Sequence, residues 1–184
     1  MRVFISILLP QKQRQTISDR IDSIRAETAK MIKWVDPATL HITLKFCGEC
    51  EENIVEEIKN QLNNLKQQGS FTLHTEDIDA FPNINKPNII WTRIKGDLDQ
   101  LKLLQKEVEN ATSNAGVEIE RSPFHPHLTL GRVKRHTVLS QTIINKMKNS
   151  ELVLEPWLVE EVALIKSELT QSGPIHEILG LFKI

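Results

Sequence analysis

Apolar residues recur along this chain at two spacings, every second residue in some stretches and every third or fourth in others, and the switches between them predict interleaved strands and helices. VFISILL, residues 3–9, is a short apolar run closed by Pro10, as expected of a buried first strand. Ile17, Ile21 and Ile24 then follow at helical spacing on a polar background. Residues 39–46 predict a second strand with His41 and Thr43 on one face and Ile42, Leu44 and Phe46 on the other. Ile54, Ile58, Leu62 and Leu65 mark an amphipathic helix that stops near Gly69. FTLHTEDIDAF and NIIWTRIKG form a long hairpin around the turn-rich PNINKP. Leu98, Leu101, Leu104 and Val108 define a third helix ending by Gly116, FHPHLTLGRV a further strand, and LSQTIINKMKN a short fourth helix. ELVLEPWLVEEVALIKSEL and HEILGLFKI supply the last strands. Strand, helix and further strands thus occur twice in order. We expect an α+β fold: one domain over residues 1–184 with two pseudo-symmetric lobes, each a mainly antiparallel sheet with helices outside.

Composition narrows the function. With 40% hydrophobic and 26% charged residues in a chain of 184, the sequence is that of a folded globular protein. A net charge of −1 supplies no overall positive field for long duplex nucleic acid, so any nucleic-acid contact must be local. The N-terminal MRVFISILLP is too short an apolar run for a secretory signal and leads into charged residues without a small-residue cleavage site. No stretch approaches the roughly 18 apolar residues of a membrane span, and Cys47 and Cys50 make no disulfide framework. A cytoplasmic, reduced protein with no membrane role is expected. CGEC, residues 47–50, lacks the second ligand pair that would make zinc persuasive and lies outside a thioredoxin setting, so no metal is expected.

One pattern carries chemistry. His-x-Thr-Leu appears as HITL at residues 41–44 and again as HLTL at residues 127–130, each on an expected strand that pairs a His with a Thr on one face. Chance explains one copy far better than two. Around these motifs the chain resembles the 2H phosphoesterase superfamily, and within it the RNA 2′,3′-cyclic phosphodiesterase branch, also called 2′-5′ RNA ligase-like. The resemblance runs through MRVFISILLP, HITLKFCGE, FPNINKPNIIWTRIKG, RSPFHPHLTLGR and LIKSELTQSGPIHEILGLF. It implies a bilobal fold with the two motifs facing across a central cleft. It further implies His41 as proton donor, His127 as proton acceptor, and Thr43, Thr129 and Arg132 on the phosphate. The partners implied are RNA ends or nucleotides bearing a 2′,3′-cyclic phosphate, with no cofactor and the protein a monomer. Such a cleft would hydrolyse the cyclic phosphate to a 2′-phosphomonoester and, with a 5′-hydroxyl in place of water, form a 2′-5′ linkage. The alternative is a non-catalytic module that binds RNA ends in the same cleft.

Other residues stay open at this level. Strict alternation puts Arg132 on the face away from His127 and Thr129, so the strand must bend, with Gly131 the natural place. Lys45 either shares the His41 face or lies at the solvent edge. His125 reads as scaffold or substrate rim, and Arg121 as structural. Arg132, Lys134, Arg135 and His136 make a basic stretch that either receives an RNA end or is a solvated loop. Phe81, Trp91 and Trp157 are core residues or stacking platforms. His176 stands near the C-terminal Gly-Pro turn where the family commonly has Tyr.

Overall fold

The computed structural model describes residues 1–65, 69–150, 152–170 and 173–184. In chain order the elements are β1 (Arg2–Leu8), α1 (Gln11–Thr28), β2 (Ile32–Trp34), a 3-10 turn (Pro37–Thr39), β3 (His41–Glu49), α2 (Glu52–Asn63), β4 (Phe71–Asn83) and β5 (Lys86–Gly96). There follow α3 (Leu98–Asn114), β6 (His127–Val133), α4 (Gln141–Lys148), β7 (Trp157–Val159), β8 (Glu161–Leu169) and β9 (Pro174–Lys183). Two sheets result. The first has strand order β3-β1-β8-β9 and the second β2-β6-β5-β4-β7, and every neighbouring pair is antiparallel. The α+β expectation therefore holds.

Each helix turns its apolar stripe inward, as the spacing requires: Ile17, Ile21 and Ile24 on α1, Val55, Ile58 and Leu62 on α2, Leu101, Leu104 and Val108 on α3, and Ile143, Ile144 and Met147 on α4. These join Val3, Ile5 and Ile7 of the first sheet and Leu73, Ile90 and Ile94 of the second in one continuous hydrophobic cluster. The residue between His and Thr in each motif belongs to it. Ile42 and Leu128 are both 0% exposed, so truncating either to Ala costs about 2–5 kcal/mol and loosens a motif strand from the core.

The boundaries differ from expectation where a local constraint outweighs hydrophobic pattern. β2 was not foreseen because it is three residues long and buries only Ile32. The expected 39–46 strand begins instead at His41, because Asp36 caps Ala38 and Pro37 opens a 3-10 turn. The second motif strand begins at His127 and not at Phe124, since Pro126 has no N–H for a ladder. Residues 152–156 carry no strand, and pairing resumes at β7 and, after Glu160, at β8. α2 ends at Asn63 with Leu65 buried just past it. The expected helix end at 66–68, the strand start at Glu151 and the turn residues 171–172 lie outside the described residues.

Candidate active site

The two motif strands belong to different sheets, β3 to the first and β6 to the second, and they pack against each other. Their histidines are held by the same device. His41 Nδ1 lies 2.7 Å from the Thr39 carbonyl oxygen, and His127 Nδ1 lies 2.8 Å from the His125 carbonyl oxygen. A carbonyl only accepts, so each Nδ1 carries hydrogen and donates it, which leaves Nε2 as the ring nitrogen outside that bond in both. The carbonyls themselves are fixed by their local sequence. Thr39 sits in the Asp36-capped turn, where its Oγ1 donates to the Asp36 carbonyl and Arg14 Nη1 donates to the Ala38 carbonyl. His125 precedes Pro126, which restricts its backbone to extended conformations at the entry to β6.

Both motif strands also break register at the same place. Ser6 pairs with Thr43 and Ile5 with Lys45, which leaves Leu44 as an extra residue in β3. Trp91 pairs with Thr129 and Ile90 with Gly131, which leaves Leu130 as the extra residue in β6. The leucine that closes each His-x-Thr-Leu is thus a β-bulge, and a bulge inverts the alternation beyond it. Arg132 consequently returns to the face of His127 and Thr129, as the bend anticipated near Gly131 requires. Gly131 takes the core side, where a Cβ would lie 2.9 Å from Ile32 and 3.2 Å from Trp34.

In β3 the same inversion corrects two expectations. Phe46 does not share the buried face of Ile42 and Leu44. It pairs with Phe4 on the His41 face and is 63% exposed. Lys45, placed at neither the His41 face nor the solvent edge, points into the protein and is 4% exposed. Its ammonium donates to Glu109 at 2.5 Å and to the Glu118 carbonyl at 2.7 Å. Phe46 and Arg132 are therefore the corresponding residues of the two motif strands, one aromatic and one cationic.

Aromatic rings back both histidines. Phe4 lies 4.9 Å from the His41 ring and 5.2 Å from His176, and His41 and His176 meet edge to face at 5.5 Å. Strands β3 and β9 are the two edges of the first sheet, so this contact requires the sheet to coil until its edge residues converge. On the other side Phe81 and Trp91 stack at 4.9 Å, and His127 stands edge-on to them at 5.4 and 5.9 Å. Phe81 and Trp91 thus form the floor under His127, whereas Trp157 is 4% exposed and belongs to the core. Burial is the largest influence on His41 and pushes its pKa below the ordinary value. The Thr39 hydrogen bond opposes that shift, and the charges of His176 and His127 reinforce it. His176 is lowered by burial as well.

The remaining candidates are dispersed. Arg132 has no ion-pair partner among the described residues, and its register neighbour on β2 is Lys33. Sequence reading missed Lys33, Phe4 and Phe46 as cleft residues because their positions depend on β2, the bulges and the sheet's coil. Lys134 donates to the Ala29 carbonyl at 3.3 Å, while Arg135 and His136 are exposed beyond the end of β6. His125 is exposed and contributes its carbonyl, and Arg121 is exposed in the segment after α3. Cys50 is buried and its N–H donates to the Met1 carbonyl at 2.9 Å, while burial pushes the Cys47 thiol up to about 12. Such thiols are packing groups. Among the described residues no helix is long and apolar enough to cross a membrane.

Two imidazoles with Nδ1 held by a carbonyl, each two residues from a threonine and one on the same strand face as an arginine without an ion-pair partner among the described residues, thus stand on packed strands of two sheets. The model of the 2′-5′ RNA ligase superfamily matches residues 13–171, and the chain belongs to that family. It is 31% identical over 158 residues to the RNA 2′,3′-cyclic phosphodiesterase of Aeropyrum pernix, an alignment covering 86% of this chain and 89% of the relative. In fold it is similar to the TT0787 protein of Thermus thermophilus, with TM-score 0.80, 23% identity, and coverage of 100% of this chain and 97% of the other. It is also similar to Escherichia coli LigT complexed with 3′-AMP, with TM-score 0.75, 21% identity, and the same coverage.

Proposed function

We propose that this protein is an RNA 2′,3′-cyclic phosphodiesterase that opens terminal 2′,3′-cyclic phosphates, leaving a 2′-phosphomonoester, through acid and base catalysis divided between His41 and His127. The observation that carries this reading is the matched anchoring of the two rings, each giving up Nδ1 to a backbone carbonyl and presenting Nε2. Hydrolysis of a cyclic diester needs a base for the attacking water and an acid for the departing ribose oxygen on opposite sides of phosphorus. The placement of the two motif strands on different sheets supports that division.

In this scheme neutral His127 takes the proton from water at Nε2 while protonated His41 delivers one to the leaving 3′-oxygen, so phosphate stays on the 2′-carbon. Thr43 and Thr129 donate to the non-bridging oxygens, and Arg132 offsets their charge as it shifts in the transition state. The depressed pKa of His41 is compatible with an acid role because the substrate is an anion. Its negative charge beside the imidazolium favours the protonated form, so binding loads the acid. Phe46, exposed on the same face, gives a nucleobase a flat surface to stack on. An RNA 5′-hydroxyl taking the place of water would yield a 2′-5′ linkage by the same alignment, with hydrolysis dominant because water is abundant.

The test is product analysis on a short RNA ending in a 2′,3′-cyclic phosphate, incubated with chelator and compared with 2′- and 3′-monophosphate standards. Predominant 2′-phosphate is expected. Predominant 3′-phosphate would reverse the substrate pose, and an intact cyclic end bound tightly would make the chain a binding module.

A further inference from the structure

Beyond the cation placed at the reacting phosphate, the cleft holds a second one that the scheme above leaves unused. Lys33 pairs directly with Arg132 across β2 and β6. Residues opposite one another in antiparallel strands project to the same face, so Lys33 stands on the cleft side beside Arg132. β2 is the edge strand of its sheet, which puts Lys33 one strand further from His127 than Arg132 is.

Its side chain leaves that sheet. A Cβ built on Gly173 would lie 3.5 Å from Lys33 Nζ and 3.6 Å from its Cε, so the ammonium stands against the residue that precedes β9 of the opposite sheet. Lys33 thereby spans the gap between the two sheets on the side where β9 carries His176 toward His41. Several lysines elsewhere on the surface are matched with carboxylates, as Lys12 is with Glu155, Lys146 with Glu27, and Lys166 with Glu168 and Glu177. Lys33 is exposed and has no carboxylate or carbonyl partner among the described residues. The backbone around it explains its position: Ile32 is buried in the core beneath Gly131, and Trp34 Nε1 donates to Thr28 Oγ1 at 3.0 Å, so the residues on both sides of Lys33 are fixed on the other face.

An extended ammonium with no partner among the described residues, adjacent to the arginine placed on the phosphate, is suited to a second phosphate. We infer that Lys33 forms a subsite for the phosphodiester 5′ to the terminal nucleotide, so that the cleft favours an RNA strand over a free cyclic mononucleotide. This inference rests on the proposed reading of the cleft. A cyclic mononucleotide has one phosphate and engages the His41, His127, Thr43, Thr129 and Arg132 set alone. A trinucleotide ending in the cyclic phosphate has two further diesters on the 5′ side, and Lys33 gives the nearer one a partner. Because a lysine contributes a point charge and not a base-reading fork, the preference is for strand over mononucleotide and is indifferent to the neighbouring base.

The experiment compares kcat/KM for a trinucleotide ending in a 2′,3′-cyclic phosphate with kcat/KM for the matching nucleoside 2′,3′-cyclic monophosphate, in wild type, Lys33→Gln and Lys33→Arg. The expected result is a trinucleotide-to-mononucleotide ratio that falls about tenfold in Lys33→Gln and is kept in Lys33→Arg. The salt dependence of KM for the trinucleotide should also flatten by about 0.7 in slope, the share of one phosphate contact on a single strand. A Lys33→Gln ratio equal to that of wild type would overturn the subsite, whether both substrates were affected equally or not at all. Wild-type protein that turned over neither substrate would instead overturn the reading of the cleft on which the subsite depends.

Discussion

The buried pair beneath the first motif strand gives a sharp test of how that strand is held. Lys45 Nζ sits 2.5 Å from Glu109 Oε1, with the two side chains only 3% and 14% exposed. Glu109 Oε1 also accepts from the Glu120 N–H at 3.0 Å, while its Oε2 has no partner among the described residues. The pair therefore ties β3 to α3 and to the segment that follows α3, on the side of the strand away from His41. Glu109→Ala leaves the Lys45 ammonium buried with only the Glu118 carbonyl as acceptor. Breaking a buried pair in this way costs about 3–5 kcal/mol, a large part of the roughly 5–15 kcal/mol available to a domain. For a chain of this size each kcal/mol lowers Tm by about 2–4 °C, so a drop of about 6–20 °C is expected. Adding Lys45→Met and placing Leu at 109 removes both charges together and should restore most of the loss, because the intact pair itself gains little over apolar packing. The assay is thermal or urea unfolding of wild type, Glu109→Ala, and the Lys45→Met, Glu109→Leu double variant, with kcat/KM measured well below each Tm. Activity per folded molecule should stay within about threefold of wild type in Glu109→Ala. A single variant within about 1 kcal/mol of wild type, or a double variant as unstable as the single, would refute the reasoning.

Two further outcomes follow from the bulge and from the ring environment. Gly131→Val forces a side chain into Ile32 and Trp34, so β2 must move away from β6. It should cost about 1–3 kcal/mol in unfolding experiments and raise KM more than it lowers kcat, since Arg132 and Lys33 shift while both histidines stay anchored. In NMR titrations of the free protein, His41 should lose its proton below the ordinary pH near 6.5, and a bound phosphate monoester should move that titration upward. A His41 midpoint at or above the ordinary value in the free protein would contradict the burial and the His176 contact that lower it.

What the amino-acid sequence made readable was the pattern that local geometry decides. A His and a Thr two residues apart share a strand face whatever the rest of the chain does, and the apolar stripes of the four helices lie where their spacing puts them. What it hid depends on partners distant in sequence. The bulges at Leu44 and Leu130 arise from pairing with β1 and β5, and they send Phe46 outward and Lys45 inward against simple alternation. Arg132 required the same irregularity, and only the presence of Gly131 hinted at it. β2 is too short to show periodicity, so Lys33 had no visible setting. His176 reaches His41 through the coil of a four-stranded sheet, a property of the assembled strands and not of either segment. The neutral composition likewise concealed Lys33 and Arg132, a local pair of cations without carboxylate partners among the described residues.

The central claim is that His41 and His127 are jointly required for opening a cyclic phosphate. It is tested most directly by turnover of a short RNA ending in a 2′,3′-cyclic phosphate, with chelator present, in wild type, His41→Ala, His127→Ala and the double variant. Each single variant should lose about 10²-fold or more in kcat while retaining the wild-type circular dichroism spectrum, and the double variant should lose far less than the product of the two, because acid and base act in one step. Near-wild-type turnover in either single variant would contradict the account.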